Sequence, residues 1–461
     1  MPTLASYYLP GLHVEDRSLE APLDWRGTEP ARAAADGLPA GERISLFYRV
    51  VCAPENVGRD LPLLVFFQGG PGGQSPRPLS AASEPWISEA VKHFRVILPD
   101  QRGTGRSSVV SRHVLAARGG APEQASYLKR FLARSVMEDF EYLRLAEFAG
   151  RPWAALAQSY GGWILLSYLS FHPEGLTAAF ACGAIPHLPA SAREVYAHTF
   201  PRMAAKTRAW YARYPEDEGR VAAVADRLAA GDVRLPDGSA LTPRRLQQLG
   251  GGLGMKPAPE RLHNLFDTAF ETGDGSLAAA GGRPQLSDAF LMGALQGLTQ
   301  ATSPLYWPLQ ELIYADGTLD EPIGWAAARE YESRPEFSAE ARPLMFVGEA
   351  CLPWIFEDDP LLAPFKPAMD LLMEDTEFDR LYDPARLAAN EVPLQAAVYF
   401  DDAYVDSGLQ LDTLSRVGTS HAWVTNEFEH DGLHDPAVFK HLFDEALNRG
   451  DLARVTLGDG A

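Results

Sequence analysis

A serine between small residues at a strand-to-helix boundary is placed to act as a nucleophile, and residues 153–163 (WAALAQSYGGW) hold one. The stretch reads as a short apolar strand over 153–157, a sharp turn at Ser159 and a helix from about Tyr160 through His172. Such a turn lifts the serine Oγ clear of the backbone and points the helix's first N–H groups at whatever it attacks. The usual pattern is G-x-S-x-G; here Ala157, the least bulky replacement, takes the first position. An attacking serine needs a base, and an acid to orient that base. Asp401 and Asp402 follow an apolar run at 393–400, and His430 lies in the loop 426–432 after a second run at 421–425. Serine, acid and histidine in that order fit residues leaving the ends of successive strands. Asp402 is taken as the acid and His430 as the base. Asp401 and Asp406 are rivals for the acid, since adjacent strand-end residues point opposite ways and only one of 401 and 402 can face the histidine. His434 and His421 are rivals for the base, but His421 opens a strand at the wrong edge of a sheet and His434 leads into the last helix. His430 would take the Ser159 proton during attack on a carbonyl, while Asp402 holds the imidazole tautomer. The N–H of Tyr160 and one from the loop 68–72, with Gly69 and Gly70 as candidates, would bind the oxyanion.

Buried strands must carry these loops. Residues 44–51 (ISLFYRVV) alternate, whereas 61–68 (LPLLVFFQ) and 94–99 (FRVILP) are continuous apolar runs, as expected of strands covered on both faces. The first apolar run stops at Gly69-Gly70-Pro71-Gly72-Gly73, and the second enters Asp100-Gln101-Arg102-Gly103-Thr104-Gly105-Arg106-Ser107. A long helical stretch over 122–148 precedes the serine turn, and 176–183 (LTAAFACG) reads as a strand after it. Alternating strands and helices imply a mostly parallel α/β sheet with its functional loops at the strands' carboxyl ends. The opening 40 residues are expected to add a hairpin. From about residue 185 the chain turns helical, aromatic-rich and broken by Pro and Gly, with loops at 250–254 and Gly273–Gly282. Strand patterning returns at 393, and a final helix is expected over 436–448. The division that follows is a core domain from 1–185 and 393–461, with a helical cap domain over 186–392.

Composition bounds the rest. The 461 residues are 46% hydrophobic and 22% charged, as in an ordinary soluble domain, and the net charge is −20. With no basic tract to offset that charge, a nucleic-acid partner is excluded. Three scattered cysteines, without CxxC spacing, point to reduced thiols in the cytoplasm and to no zinc site. No apolar run approaches 18 residues and the N-terminus lacks a basic-then-apolar leader, so neither membrane span nor export signal is expected. No metal or organic cofactor is implied: HExxH and P-loop spacings are missing, and the Gly-rich loops lack GxGxxG spacing.

Taken together, Gln68-Gly69-Gly70-Pro71-Gly72, Asp100-Gln101-Arg102-Gly103-Thr104-Gly105-Arg106-Ser107 and Ala157-Gln158-Ser159-Tyr160-Gly161-Gly162 resemble the three loops of the prolyl aminopeptidase (proline iminopeptidase) family of α/β-hydrolase serine peptidases. The family's Gly-Arg-Tyr-Asp acid motif is similar to Tyr399-Phe400-Asp401-Asp402, which supports Asp402. Its catalytic histidine precedes the last helix, as His430 does, and the length resembles the family's longer, large-cap branch. Two departures stand out: Gln68 replaces a histidine and Ala157 a glycine. The loop over residues 100–106 is read as a brace for the sheet edge and the oxyanion loop, with its charges outside the catalytic set. The resemblance implies an α/β-hydrolase fold and release of an N-terminal residue, preferably proline, from peptides with a free N-terminus. Cap carboxylates would then pair with the cationic amine, and Glu311 and Glu349, set among aromatics, are the candidates. A carboxylesterase or amidase with the same triad and a non-peptide substrate is the alternative.

Overall fold

The computed structural model describes residues 3–272 and 282–456. Strands β1 (Ala5–Leu9) and β2 (Leu12–Pro22) form the opening hairpin, followed by β3 (Arg43–Cys52), β4 (Leu63–Phe67), β5 (Arg95–Pro99), β6 (Trp153–Gln158), β7 (Leu176–Cys182), β8 (Leu394–Tyr399) and β9 (Ser420–Thr425). Among the described residues these make one sheet in the order β1-β2-β3-β5-β4-β6-β7-β8-β9. Pairing is antiparallel from β1 through β3 to β5 and parallel from β5 across to β9.

Burial on both faces explains the continuous apolar runs. All five residues of β4 are buried, and they alternate between two cores: Leu63, Val65 and Phe67 on one face, Leu64 and Phe66 on the other. Phe67 stacks on Phe140 and Tyr168, from the helices Ala133–Glu147 and Gly161–Phe171. Phe66 packs on Trp86, and further along the same face Phe180 meets Phe439 of the closing helix Pro436–Arg449. From β4 the chain goes to β5 on one side, then returns to β6 on the other. The strand order thus reverses between β4 and β6, and their carboxyl ends open the crevice in which such sheets bind ligands.

One expectation needs adjustment. The helix expected over 122–148 is two, Ala121–Leu128 and Ala133–Glu147, with a 3-10 turn and an extended Leu132 between them. The break has a tertiary cause: the buried Arg102 guanidinium takes the Arg130 carbonyl at 2.7 Å, a group a continuous helix would use internally. Residues 273–281 of the expected Gly273–Gly282 loop lie outside the described residues. Between Cys182 and Leu394 the described residues form helices and loops, with two isolated bridges, Arg234 to Ala240 and Phe270 to Leu286. This helical insertion shares one apolar core with the sheet's Phe67 face. No helix among the described residues is long and apolar enough to cross a membrane.

Candidate active site

Ser159 leaves the end of β6 with φ 51°, a conformation costly for a non-glycine residue and characteristic of a strained turn that the surroundings enforce. Its N–H bonds to the Cys182 carbonyl at 3.2 Å, and its carbonyl accepts from Gly162 at 2.8 Å. The two glycines that follow are demanded by close approach. A Cβ on Gly161 would stand 2.0 Å from the Phe67 carbonyl oxygen, and one on Gly162 1.3 Å from that of Ala184. Ala157 pairs with Phe67 and Ala181 and is fully buried, so alanine fills the first position of the pattern within the sheet.

Asp402 and His430 meet directly: Nδ1 of the imidazole and Oδ2 of the carboxylate are 2.8 Å apart. The other oxygen, Oδ1, accepts from the N–H groups of Tyr404 at 2.8 Å and Val405 at 3.0 Å, so the carboxylate is held on both sides. Asp402 is fully buried and Asp401 exposed. Asp406 is engaged elsewhere, capping the helix Ser407–Leu414 and pairing with Arg202. His434 is exposed on a 3-10 turn, and His421 lies on the edge strand β9. Burial lowers the proton affinity of His430, but the Asp402 carboxylate, helped by Glu349 and Asp431, outweighs it and raises the pKa to about 9.

Around the serine, a Cβ on Gly69 would lie 3.1 Å from the Ser159 Cβ, so the loop after β4 runs alongside the nucleophile. Gln68 then changes the donor count. Its Oε1 accepts from the Gly69 N–H at 2.7 Å, while its Nε2 reaches the Gln74 carbonyl at 2.9 Å. Of the two loop donors named from sequence, Gly69 is therefore occupied, whereas the Gly70 and Tyr160 N–H groups make no hydrogen bond among the described residues. The 100–107 loop braces this region. Gln101 Nε2 donates to the Gln68 carbonyl at 2.7 Å, and buried Asp100 accepts from the Ser75 and Arg106 N–H groups.

The insertion and the loop after β8 together form a small pocket, lined by Tyr196, Gln310, Tyr314 and Glu349 from the insertion and Tyr404 from the loop. Glu349 accepts from the Tyr306 hydroxyl at 2.5 Å. Burial pushes its pKa up, while the nearby His430 pulls it down. Gly72 packs so closely on Leu305 and Tyr306 that its Cβ would be 2.9 Å from the Leu305 carbonyl carbon, which ties the pocket to the loop beside Ser159. Glu311 sits apart from this lining. It is fully buried, Oε1 accepts from the Ala327 N–H at 2.9 Å, Oε2 has no partner, and burial raises its pKa to about 8. Gln310, Tyr196 and Tyr404 were not singled out from sequence. Tyr404, two residues past Asp402, carried the one local signal that could have found it. One group with metal-ligand spacing occurs among the described residues, Glu141, His172 and Glu174. Its atoms are already engaged, Glu141 by Arg144 and Tyr168 and His172 by Glu138.

Several known proteins are similar to this chain. The alpha/beta hydrolase fold family matches residues 62–217. A proline iminopeptidase of Aeromonas sobria is 38% identical over 428 residues, covering 93% of this chain and 94% of that one. A second, from Aspergillus aculeatus, is 32% identical over 422 residues and 90% of each chain. A crystal structure of the Mycobacterium smegmatis proline iminopeptidase aligns over 90% of this chain and 98% of that one, at 14% identity and a TM-score of 0.43. The chain belongs to the proline iminopeptidase family of α/β-hydrolase peptidases.

Proposed function

We propose that the protein is a serine aminopeptidase that releases an N-terminal residue, preferably proline, from peptides with a free N-terminus. Ser159 Oγ attacks the first peptide carbonyl as His430 takes its proton; His430 then returns that proton to the departing amine. An acyl-enzyme remains, and a water, deprotonated by His430, hydrolyses it. Asp402 holds the imidazole and stabilises its charged form. The developing oxyanion is met by the N–H groups of Tyr160 and Gly70. Residues 186–392 act as a cap over the core formed by 1–185 and 393–461.

The observation that carries the aminopeptidase reading is Glu349, a carboxylate of the insertion facing the Asp402–His430 pair from a pocket lined by tyrosines. A cationic imino group entering that pocket finds a desolvated anion beside the reacting centre, where a charge-assisted hydrogen bond is strongest. Glu311, with one oxygen unpartnered, is the second carboxyl of the reading. The relatives' printed activity supports the same substrate class. Three cysteines, Cys52, Cys182 and Cys351, all buried and unpaired, support a reducing, cytoplasmic setting.

Ser159→Ala is expected to abolish hydrolysis. Glu349→Gln is expected to lower kcat/KM for prolyl arylamides about 10–100-fold, the effect of losing a charged hydrogen bond of ~1.5–3 kcal/mol, while sparing neutral esters. Glu311→Gln should act in the same direction. Equal losses on arylamides and esters would refute the amine-binding role and favour a general esterase or amidase.

A further inference from the structure

The two loops that carry Asp402 and His430 are joined to each other a second time, through the insertion. The His430 N–H donates to the Gly254 carbonyl at 3.0 Å, and the Gly254 N–H donates to the Tyr404 hydroxyl at 3.0 Å. That hydroxyl in turn donates to the Gly251 carbonyl. The Tyr404 N–H donates to Asp402 Oδ1 at 2.8 Å, and Asp402 Oδ2 meets His430 Nδ1 at 2.8 Å. The contacts close a ring that runs from acid to tyrosine to insertion to histidine and back to acid. The Tyr404 ring also stands edge-on to the imidazole, with centroids 4.9 Å apart at 71°. Position 254 has no room for a side chain, because a Cβ there would be 2.6 Å from Tyr404 Cε2. Nearby bonds reinforce the same joint: the Lys256 N–H to Asp431 at 3.1 Å, Lys256 Nζ to the Glu427 carbonyl at 2.7 Å, and Lys206 Nζ to Glu429 at 2.6 Å.

We infer that Tyr404 is a positioning residue for the general base, and that its hydroxyl makes the seating of the 251–254 segment of the insertion a condition for His430 to be aligned. The inference rests on the triad reading above and adds to it a part of the machinery contributed by the insertion. A histidine fixed only by its carboxylate can swing about that one bond. Fixing its backbone N–H to Gly254 and its ring against Tyr404 removes this freedom, and displacements near 1 Å at a reacting centre can cost about 100-fold in rate. Substrate binding and base alignment are thereby linked, since Tyr404 also lines the Glu349 pocket.

The test is Tyr404→Phe, which keeps the ring and deletes the hydroxyl, assayed on a neutral ester and a prolyl arylamide beside Ser159→Ala. The expected result is a kcat lowered about 10–100-fold on both substrates, with KM for the ester changed less than about 2-fold. The midpoint of the rise of the ester profile with pH should also move down, as the grip of Asp402 on the imidazole loosens. The other charged groups facing His430 are Asp431 on its own loop and Glu349 on the insertion, and both remain in the variant. Gly254→Ala, which drives a methyl group into the Tyr404 ring, should reproduce the kcat loss, and it decides by the same criteria if Tyr404→Phe does not fold. A wild-type kcat and pH profile per folded molecule, with Ser159→Ala inactive, would overturn the inference alone. Hydrolysis that survives Ser159→Ala would overturn the triad reading and this inference with it.

Discussion

Asp401 and Asp402 are neighbours in sequence and opposites in environment, the first exposed and the second buried against His430. Asp402 is buried, with Oδ1 saturated by two backbone N–H groups and Oδ2 directed at His430, so its charge acts on one partner. The resulting pKa of about 9 for His430 has two consequences with a definite sign. The base must be neutral to accept the Ser159 proton, so kcat/KM on a neutral ester should rise with pH, with a midpoint well above 6.5 and towards 9. The stabilisation from the pair runs the other way: it is fully present below the unfolded histidine's 6.5 and is lost as pH climbs through the folded value. Asp402→Asn should bring the activity midpoint down towards 6.5 and cut kcat about 10³–10⁴-fold through loss of the required tautomer. A pH–rate profile of both proteins checks this, and a variant midpoint that stays high would refute it. At this scale the turn at Ser159 and the meeting of Asp402 with His430 were legible, because strand ends and chain order confine them. The occupied Gly69 N–H was not, because it depends on Gln68 folding back on its own neighbour.

Among the elements, the loop after β5 ties the sheet to the helix Ala133–Glu147. Arg102 reaches from that loop into a fully buried pair with Asp139 of the helix Ala133–Glu147. Its remaining N–H groups are used on the carbonyls of Pro22, Leu23 and Arg130, and the Trp25 indole donates to Asp139 at 2.8 Å. One residue thus ties the antiparallel edge, the helix and the β5 loop together. Removing either partner strands a buried charge, so Asp139→Asn or Arg102→Met should each destabilise the fold by about 3–5 kcal/mol. Denaturant titration measures it, and a loss below about 1 kcal/mol would show that the charge finds water. Strands β4 and β5 could be read to within one or two residues, because runs buried on both faces have few polar interruptions; β2, which offers its Pro22 carbonyl, was read only as part of a hairpin. The helix break at Leu132 could not, because its cause is a guanidinium from 28–30 residues upstream competing for a helix carbonyl.

For the whole molecule, the helical insertion completes the site that the sheet begins. The sheet brings the Ser159 turn and the Gly69–Gly70 loop to the point where strand order reverses. The insertion adds Glu349, Tyr196 and Tyr314 of the pocket, and the Gly254 carbonyl that holds the His430 N–H. Sequence patterning reads the stretch between β7 and β8 as helical but not its internal packing, because short helices broken by Pro and Gly acquire their faces only from tertiary neighbours. Glu349 and Glu311 show the difference. Both stand among aromatics in the sequence, yet one faces the His430 pair and the other accepts a helix N–H. The account turns on recognition of a free imino group beside an activated serine. The direct test is kcat/KM for prolyl-β-naphthylamide set against its N-acetylated form, on the same enzyme preparation. Rapid release from the free compound, with a loss of about 100-fold or more on acetylation, is the predicted result. Equal rates on the two, still dependent on Ser159, would contradict it.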